Sequence, residues 1–152
     1  LVKSYNKTQV SHEIEQQANF VSLKIEKELR DANGAIVNDD DELIITRSDG
    51  EKITYAIDTS PADFNKITRT DGDGKLDITD GAALSGITVS CPDSQLDADT
   101  DPDPCFIQTK EIPVIIYFAF DFSKANTGGL TPFKAELNVS NTIVIRNTYA
   151  PN

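Results

Sequence analysis

An apolar seam near the start of the chain constrains its fold more than any other feature. Seven side chains recur at steps of three or four residues, which places them along one stripe of an α-helix: Val10, Ile14, Ala18, Val21, Ile25, Leu29 and Ala32. The seam predicts a helix from about Thr8 to Ala32, ended by Asn33 and Gly34. A stripe of this length needs burial, so the rest of the chain must supply a surface that covers it.

The remainder of the chain is rich in predicted strands. Segments 43–47 and 52–57 read as a hairpin joined by a turn at Ser48–Gly50. Residues 112–122 are apolar on both faces, which is typical of a central strand. The fold class expected from these patterns is α+β, with a long N-terminal amphipathic helix packed on an antiparallel sheet of about seven strands. We expect residues 1–34 to hold the helix and 35–152 to form a β-rich head, together making one domain.

Net charge and hydropathy limit which partners this chain can bind. The 152 residues include 14 basic and 25 acidic side chains, for a net charge of −11, which repels nucleic acid phosphates. We therefore expect no nucleic acid partner. No segment approaches the roughly 18 apolar residues needed to span a bilayer. The chain starts at Leu1 without an initiator Met or a cleavage site, so we expect a preceding segment to be missing.

The two cysteines predict a disulfide. Cys91 and Cys105 enclose an Asp- and Pro-rich segment that contains no His and no further Cys, whereas a tetrahedral zinc site would need two more soft ligands. A disulfide implies an oxidising, extracytoplasmic compartment. Two unpaired buried thiols are the alternative.

From the helix onwards, the order of short motifs resembles the type IV pilin-like superfamily. In chain order the motifs are Leu29-Arg30-Asp31-Ala32-Asn33, Leu43-Ile44-Ile45, Ile53-Thr54-Tyr55, Ile67-Thr68-Arg69 and Ile143-Val144-Ile145-Arg146-Asn147. Within the superfamily they are most similar to minor pseudopilins of the J type, from type II secretion, and to related minor pilins of the W type. The agreement covers nearly the whole chain.

The resemblance implies a structural role. The chain would be a subunit that assembles at or near the tip of a type IV pilus-like filament or a type II secretion pseudopilus, with other pilin or pseudopilin subunits as partners. It would be extracytoplasmic, at the cell surface or in the periplasm. Its only membrane contact would be an N-terminal half-helix preceding Leu1, which would anchor it in the inner membrane before assembly. Pilus and pseudopilus both stay open.

Two exposed apolar residues fit this role. Phe20 and Leu23 project well away from the seam, and in a filament they would meet helices of neighbouring subunits. Scattered surface hydrophobic residues are the alternative, since single exposed ones are common.

An acidic loop predicts a calcium site. With Gly74 at the sixth position of an EF-hand-like loop, the oxygens that a hard cation prefers would come from five residues: Asp71, Asp73, Lys75 through its carbonyl, Asp77 and Asp80. Arg69 stands at the first position, where such loops carry Asp. A polar turn between strands is the alternative, and both stay open. Calcium would make a secreted calcium-dependent binding or adhesion module the second candidate function.

Catalysis finds little support in the sequence. His12 is the only histidine, and the chain has no nucleophile elbow, no phosphate-binding Gly-rich loop and no His pair with metal spacing. We therefore expect no enzymatic activity and no cofactor apart from calcium.

Overall fold

The computed structural model describes residues 2–59, 65–79, 87–92, 104–126 and 133–145, without the side chains of residues 2–8, 10, 125–126 and 133–134. The described part contains one helix, α1 (Val2–Arg30), and nine strands. The strands are β1 (Gly34–Val37), β2 (Leu43–Thr46), β3 (Lys52–Asp58), β4 (Lys66–Asp71), β5 (Gly74–Asp77), β6 (Ile87–Ser90), β7 (Phe106–Gln108), β8 (Ile115–Asn126) and β9 (Phe133–Val144).

The expected fold class is wrong. In place of a long helix on one sheet of about seven strands, the described residues form two antiparallel sheets with nine strands, and the protein is mostly β. Neither β5 nor β7 shows an alternating apolar pattern, because all four residues of β5 are exposed and β7 has only three residues. The division into two sheets depends on pairings between distant segments, such as β6 with β8, which local patterns do not reveal.

The first sheet is a meander in the order β1-β2-β3-β4-β5. Its alternating apolar residues face inward because successive side chains point to opposite faces of a strand. Ile45 lies opposite Ile53 and Ile57 lies opposite Ile67 in the register. The expected hairpin is present, and Gly50 takes a φ of 89° in its turn, a conformation that glycine adopts without strain.

The second sheet is built on β8. Strand β9 pairs with β8 over its whole length, so β6 and β7 share the opposite edge of β8. Phe118, Phe120 and Phe122 are all buried, and the ring of Phe120 meets Phe106 edge to face with centroids 5.5 Å apart. The apolar strand expected over 112–122 is thus central to its sheet, although β8 itself begins at Ile115.

The seam of α1 is buried where its side chains are described. Ile14, Ala18, Val21, Ile25 and Leu29 are each at most 1% exposed and join one core with residues of both sheets. The helix ends at Arg30, and Gly34 already begins β1, without the left-handed conformation expected for Asn33 and Gly34. The side chain of Val10 lies outside the described set.

Polar contacts from α1 reach both sheets. Glu13 accepts a 2.7 Å bond from Lys124 of β8, and Glu26 accepts a 3.1 Å bond from Asn141 of β9. Glu28, near the helix end, bonds to the first sheet. Helix α1 therefore bonds to both sheets through its polar side chains. Over the described residues, no helix combines the length and apolar character needed to cross a membrane.

Candidate functional site

The exposed face of α1 is the first candidate surface. Phe20 is 54% exposed and Leu23 is 65% exposed, whereas Val21 and Ile25 beside them are fully buried. Residues three apart are neighbours on a helix surface, so Phe20 and Leu23 form one small apolar patch on the side of α1 that faces away from the core. The structure thus places both sequence-predicted interface residues together on open surface.

A charged cluster fixes the C-terminal half of α1 to the first sheet. Arg69 on β4 donates to Glu28 Oε1 from Nε at 3.0 Å and from a terminal nitrogen at 2.9 Å, and its other terminal nitrogen donates to Asp71 at 2.5 Å. The hydroxyl of Tyr55, directly opposite Arg69 in the register, donates to Glu28 Oε2. The cluster satisfies a carboxylate and a guanidinium that are each less than one-fifth exposed.

This arrangement shifts three pKa values. Burial and the adjacent Glu28 carboxylate raise the pKa of Tyr55 above its ordinary value. Burial alone would lower the pKa of Arg69, but its hydrogen bonds to Glu28 and Asp71 outweigh burial and raise it. The Arg69 guanidinium in turn holds the pKa of Asp71 below its usual range. All these shifts favour the bonded forms that the structure shows.

An open cleft of about 650 Å³ lies beside this cluster. It separates the end of α1 from the turn between β2 and β3, and we refer to it as the helix-end cleft. Its lining is mostly charged and consists of Lys24, Lys27, Glu28, Asp31, Arg47, Ser48 and Arg69. A polar, open cavity of this kind suits a charged partner better than an apolar small molecule.

The expected calcium loop is a tight hairpin in the structure. Strands β4 and β5 pair so that Asp71 lies opposite Gly74, leaving Gly72 and Asp73 as a two-residue turn. The Asp71 carboxylate accepts the backbone N–H of Asp73 at 2.9 Å as well as the bond from Arg69. Gly74 has a φ of 126°, which only glycine adopts without strain.

Two carboxylates of this hairpin already form ion pairs, Asp71 with Arg69 and Asp77 with Lys66. Asp77 accepts a 2.8 Å bond from Lys66, and Lys75 donates to Asp58 at 3.1 Å. Asp80 lies outside the described residues. Where side chains are described, the hairpin has no group of three possible ligands close enough to share one ion. The calcium site stays a prediction, and it requires an ion to displace Arg69 and Lys66.

Cys91 and Cys105 form a disulfide, with Cα atoms 4.7 Å apart. Asp41 lies against it: its carboxylate accepts the backbone N–H groups of Cys105 at 2.8 Å and Phe106 at 3.0 Å, and one oxygen is 3.7 Å from the Cys91 sulfur. Burial raises the pKa of Asp41, although the two amide bonds partly oppose this. The three residues could ligate a metal by distance, but the disulfide occupies both sulfurs.

His12 is exposed and lies within 3.1 Å of the Gln16 amide nitrogen, one helical turn away. Among the described residues, the lining of the helix-end cleft contains no histidine, cysteine or tyrosine. Six of the seven lining residues that the structure describes are charged, which suits charge pairing.

Comparison with known proteins yields no match to a family model, a curated protein or a solved structure. The pilin resemblance therefore depends on the motif order in this chain alone. Three of those motifs fall on consecutive strands of the first sheet, β2, β3 and β4, and Arg146-Asn147 lies outside the described residues.

Sequence reasoning did not identify the positioning roles of Asp41, Glu28 and Arg69. Asp41 follows two exposed acidic residues, Asp39 and Asp40, but is itself partly buried. Glu28 and Arg69 were not paired, although a signal existed: Arg69 is two residues from Ile67, so it faces inward and needs a counter-charge. For Asp41 no local signal existed, because its partners lie more than 60 residues away.

Proposed function

We propose that this chain is a structural subunit that assembles through the exposed face of α1 into a type IV pilus-like filament or a type II secretion pseudopilus. Its class would be that of a minor pilin or pseudopilin, and its partners would be other subunits of the filament. Its location would be the cell surface or the periplasm. The observation that carries the proposal is the apolar patch of Phe20 and Leu23.

The patch supports assembly because of its place on the helix. One face of α1 is buried in the core, and the opposite face exposes two large apolar side chains. Burial of these side chains against a partner would be favourable, because apolar surface is removed from water. An aromatic residue beside an aliphatic one is typical of the centre of a protein interface. In a filament, the same two side chains would be covered by a helix of the next subunit.

The choice of filament class is supported by the motif order. The helix end is followed by Leu43-Ile44-Ile45, Ile53-Thr54-Tyr55 and Ile67-Thr68-Arg69 in the order found in minor pseudopilins and minor pilins. The two antiparallel sheets differ from the expected single sheet, so the support comes from the exposed face of the helix and the order of the motifs.

Filaments sheared from cells that make the protein provide the test. Antibodies against the chain should label these filaments in electron microscopy. The double variant Phe20→Ser with Leu23→Ser should remove the label from filaments while the purified chain keeps its melting temperature, because both side chains are exposed.

A matched control shows whether the loss of label is specific to the helix face or follows from the loss of any two exposed apolar side chains. Leu76 and Ile112 are 61% and 74% exposed and lie outside the helix, so Leu76→Ser with Ile112→Ser should leave the label unchanged. Absence of the chain from every filament fraction, or equal labelling by both double variants, would contradict the proposal.

A further inference from the structure

The two ends of the β1–β2 hairpin carry opposite charges. One end is the turn between the strands, where Asp39 and Asp40 are exposed and form no ion pair among the described side chains. We refer to these two residues as the acidic turn. At the other end, β2 leads directly to Arg47 and Ser48 in the wall of the helix-end cleft. The four residues of β2 separate the ends by about 13 Å.

The helix-end cleft has two lysines that the fold does not use. Glu28 and Arg69 bond to each other, and Arg47 bonds to Glu51 at 3.3 Å. By contrast, Lys24 and Lys27 form no ion pair within the described ranges. They are three residues apart and therefore adjacent on the helix surface. Asp31 is the one unpaired carboxylate in the lining, so the unpaired charge there is positive.

We infer that the helix-end cleft of one copy receives the acidic turn of a second copy, in a head-to-tail contact. The ammonium groups of Lys24 and Lys27 would pair with the carboxylates of Asp39 and Asp40. Because the two surfaces differ and lie at opposite ends of one hairpin, each copy can bind one neighbour at each end. Such heterologous contacts form rings or open filaments.

The net charge of the protein favours this orientation over others. With a charge of −11, two copies repel each other in most approaches, and only a positively charged surface relieves the repulsion. Complementary charges of this kind fix orientation more than they add affinity. We therefore expect a weak, salt-sensitive contact in the isolated chain, strengthened when many copies are held in a filament.

The inference deepens the proposed function and depends on it in one respect: at least two copies must be neighbours in the assembled filament. Antibody labelling shows that the chain is part of the filament, whichever subunit lies beside it. A labelled filament without contacts between copies would overturn this inference and leave the proposed function intact.

Zero-length cross-linking tests the contact. A carbodiimide joins a lysine amine to a carboxylate only where the two touch, and mixing isotope-labelled with unlabelled chain identifies links between copies by mass spectrometry. We expect links from Lys24 or Lys27 to Asp39 or Asp40 at about 0.01 M salt and their loss at about 1 M, where charges are screened within about 3 Å.

Neutral variants test the polarity of the contact. Lys24→Gln with Lys27→Gln removes the receiving surface, and Asp39→Asn with Asp40→Asn removes the inserting one, so neither variant should cross-link to itself. An equimolar mixture retains one intact contact and should give a capped heterodimer without higher species. The control Lys52→Gln with Lys110→Gln changes the same charge at exposed positions outside the cleft and should behave as wild type.

Two results would overturn the inference. One is a wild-type chain that gives no link between copies at low salt. The other is a yield that the cleft variant and the control variant reduce equally, since that would make the attraction a property of net charge alone.

Discussion

Asp41 shows how one residue can connect two sheets. It has a φ of 57°, which Asp and Asn tolerate better than other non-glycine residues, and this conformation belongs to the turn between β1 and β2. Its carboxylate bonds to the backbone of Cys105 and Phe106, at the start of β7 in the other sheet. The same junction has a second bond, from the Val37 N–H to the Gln108 side chain at 2.6 Å.

Replacing Asp41 should therefore destabilise the protein in proportion to the acceptors lost. Asp41→Ala leaves two amides unpaired and places Ala at positive φ, for an expected loss of about 2–4 kcal/mol. Asp41→Asn keeps one acceptor and tolerates the conformation, so its loss should be about 1 kcal/mol. Urea unfolding measures both, with the exposed Asp40→Ala as the control. Equal stability of Asp41→Ala and the control would contradict this role.

Tyr55 gives a pH-dependent prediction. Its pKa is raised in the folded protein, whereas in the unfolded chain it is about 10. Above that pH the unfolded state loses the phenolic proton and the folded state keeps it, so stability should fall as pH rises through about 10 and beyond.

Tyr55→Phe cannot lose this proton, so its stability should decline less steeply with alkaline pH. At neutral pH the variant should be about 1 kcal/mol less stable, because the bond to Glu28 is gone. Denaturant unfolding from neutral to alkaline pH measures both effects. Parallel declines for the variant and the wild type would show that Tyr55 has no part in the alkaline loss.

Helix α1 has one face that is buried in the core and one face that is exposed and should contribute little to stability. Ile25→Ala removes a fully buried side chain and should cost about 2–5 kcal/mol. Leu23→Ala, two residues away and 65% exposed, should change stability by less than about 0.5 kcal/mol. Thermal or denaturant unfolding distinguishes the two, and similar losses would mean that the Leu23 face is also packed.

Elements with strong local periodicity were predictable from the sequence. The seam gave the buried face of α1 correctly from Ile14 to Leu29, and alternating residues gave the β2–β3 hairpin. Strand β5 could not be predicted, because it lies in an acidic segment whose Asp and Gly residues fit a metal loop and a tight turn equally well. Only the register of Asp71 with Gly74 distinguishes the two geometries, and register is set by pairing.

For the whole molecule, the sequence could not predict how the strands divide between sheets. That division depends on strand pairings such as β6 with β8, which join segments far apart in the chain. The candidate surfaces followed the same pattern: Phe20 and Leu23 could be found from helical spacing, whereas the helix-end cleft required α1, β2 and β4 to come together.

The disulfide joins the end of β6 to the start of β7 within the second sheet, next to Asp41 of the first sheet. It closes a loop with a sequence separation of 14 residues, and removing a crosslink of this size should cost about 3 kcal/mol, because the unfolded chain regains entropy. Comparing urea unfolding of the oxidised chain with that of Cys91→Ala/Cys105→Ala measures the loss. A variant as stable as the oxidised protein would show that the core holds β6 and β7 in place without the crosslink.

Photo-cross-linking would show whether the exposed face of α1 contacts a neighbouring subunit, as we propose. Phe20→p-benzoylphenylalanine keeps an aromatic side chain at the position and forms a covalent bond to whatever lies against it. In filaments on cells, irradiation should link this residue to another filament subunit, while the same replacement at Leu76 should not. Filaments that contain the chain but give no link from position 20 would contradict the account.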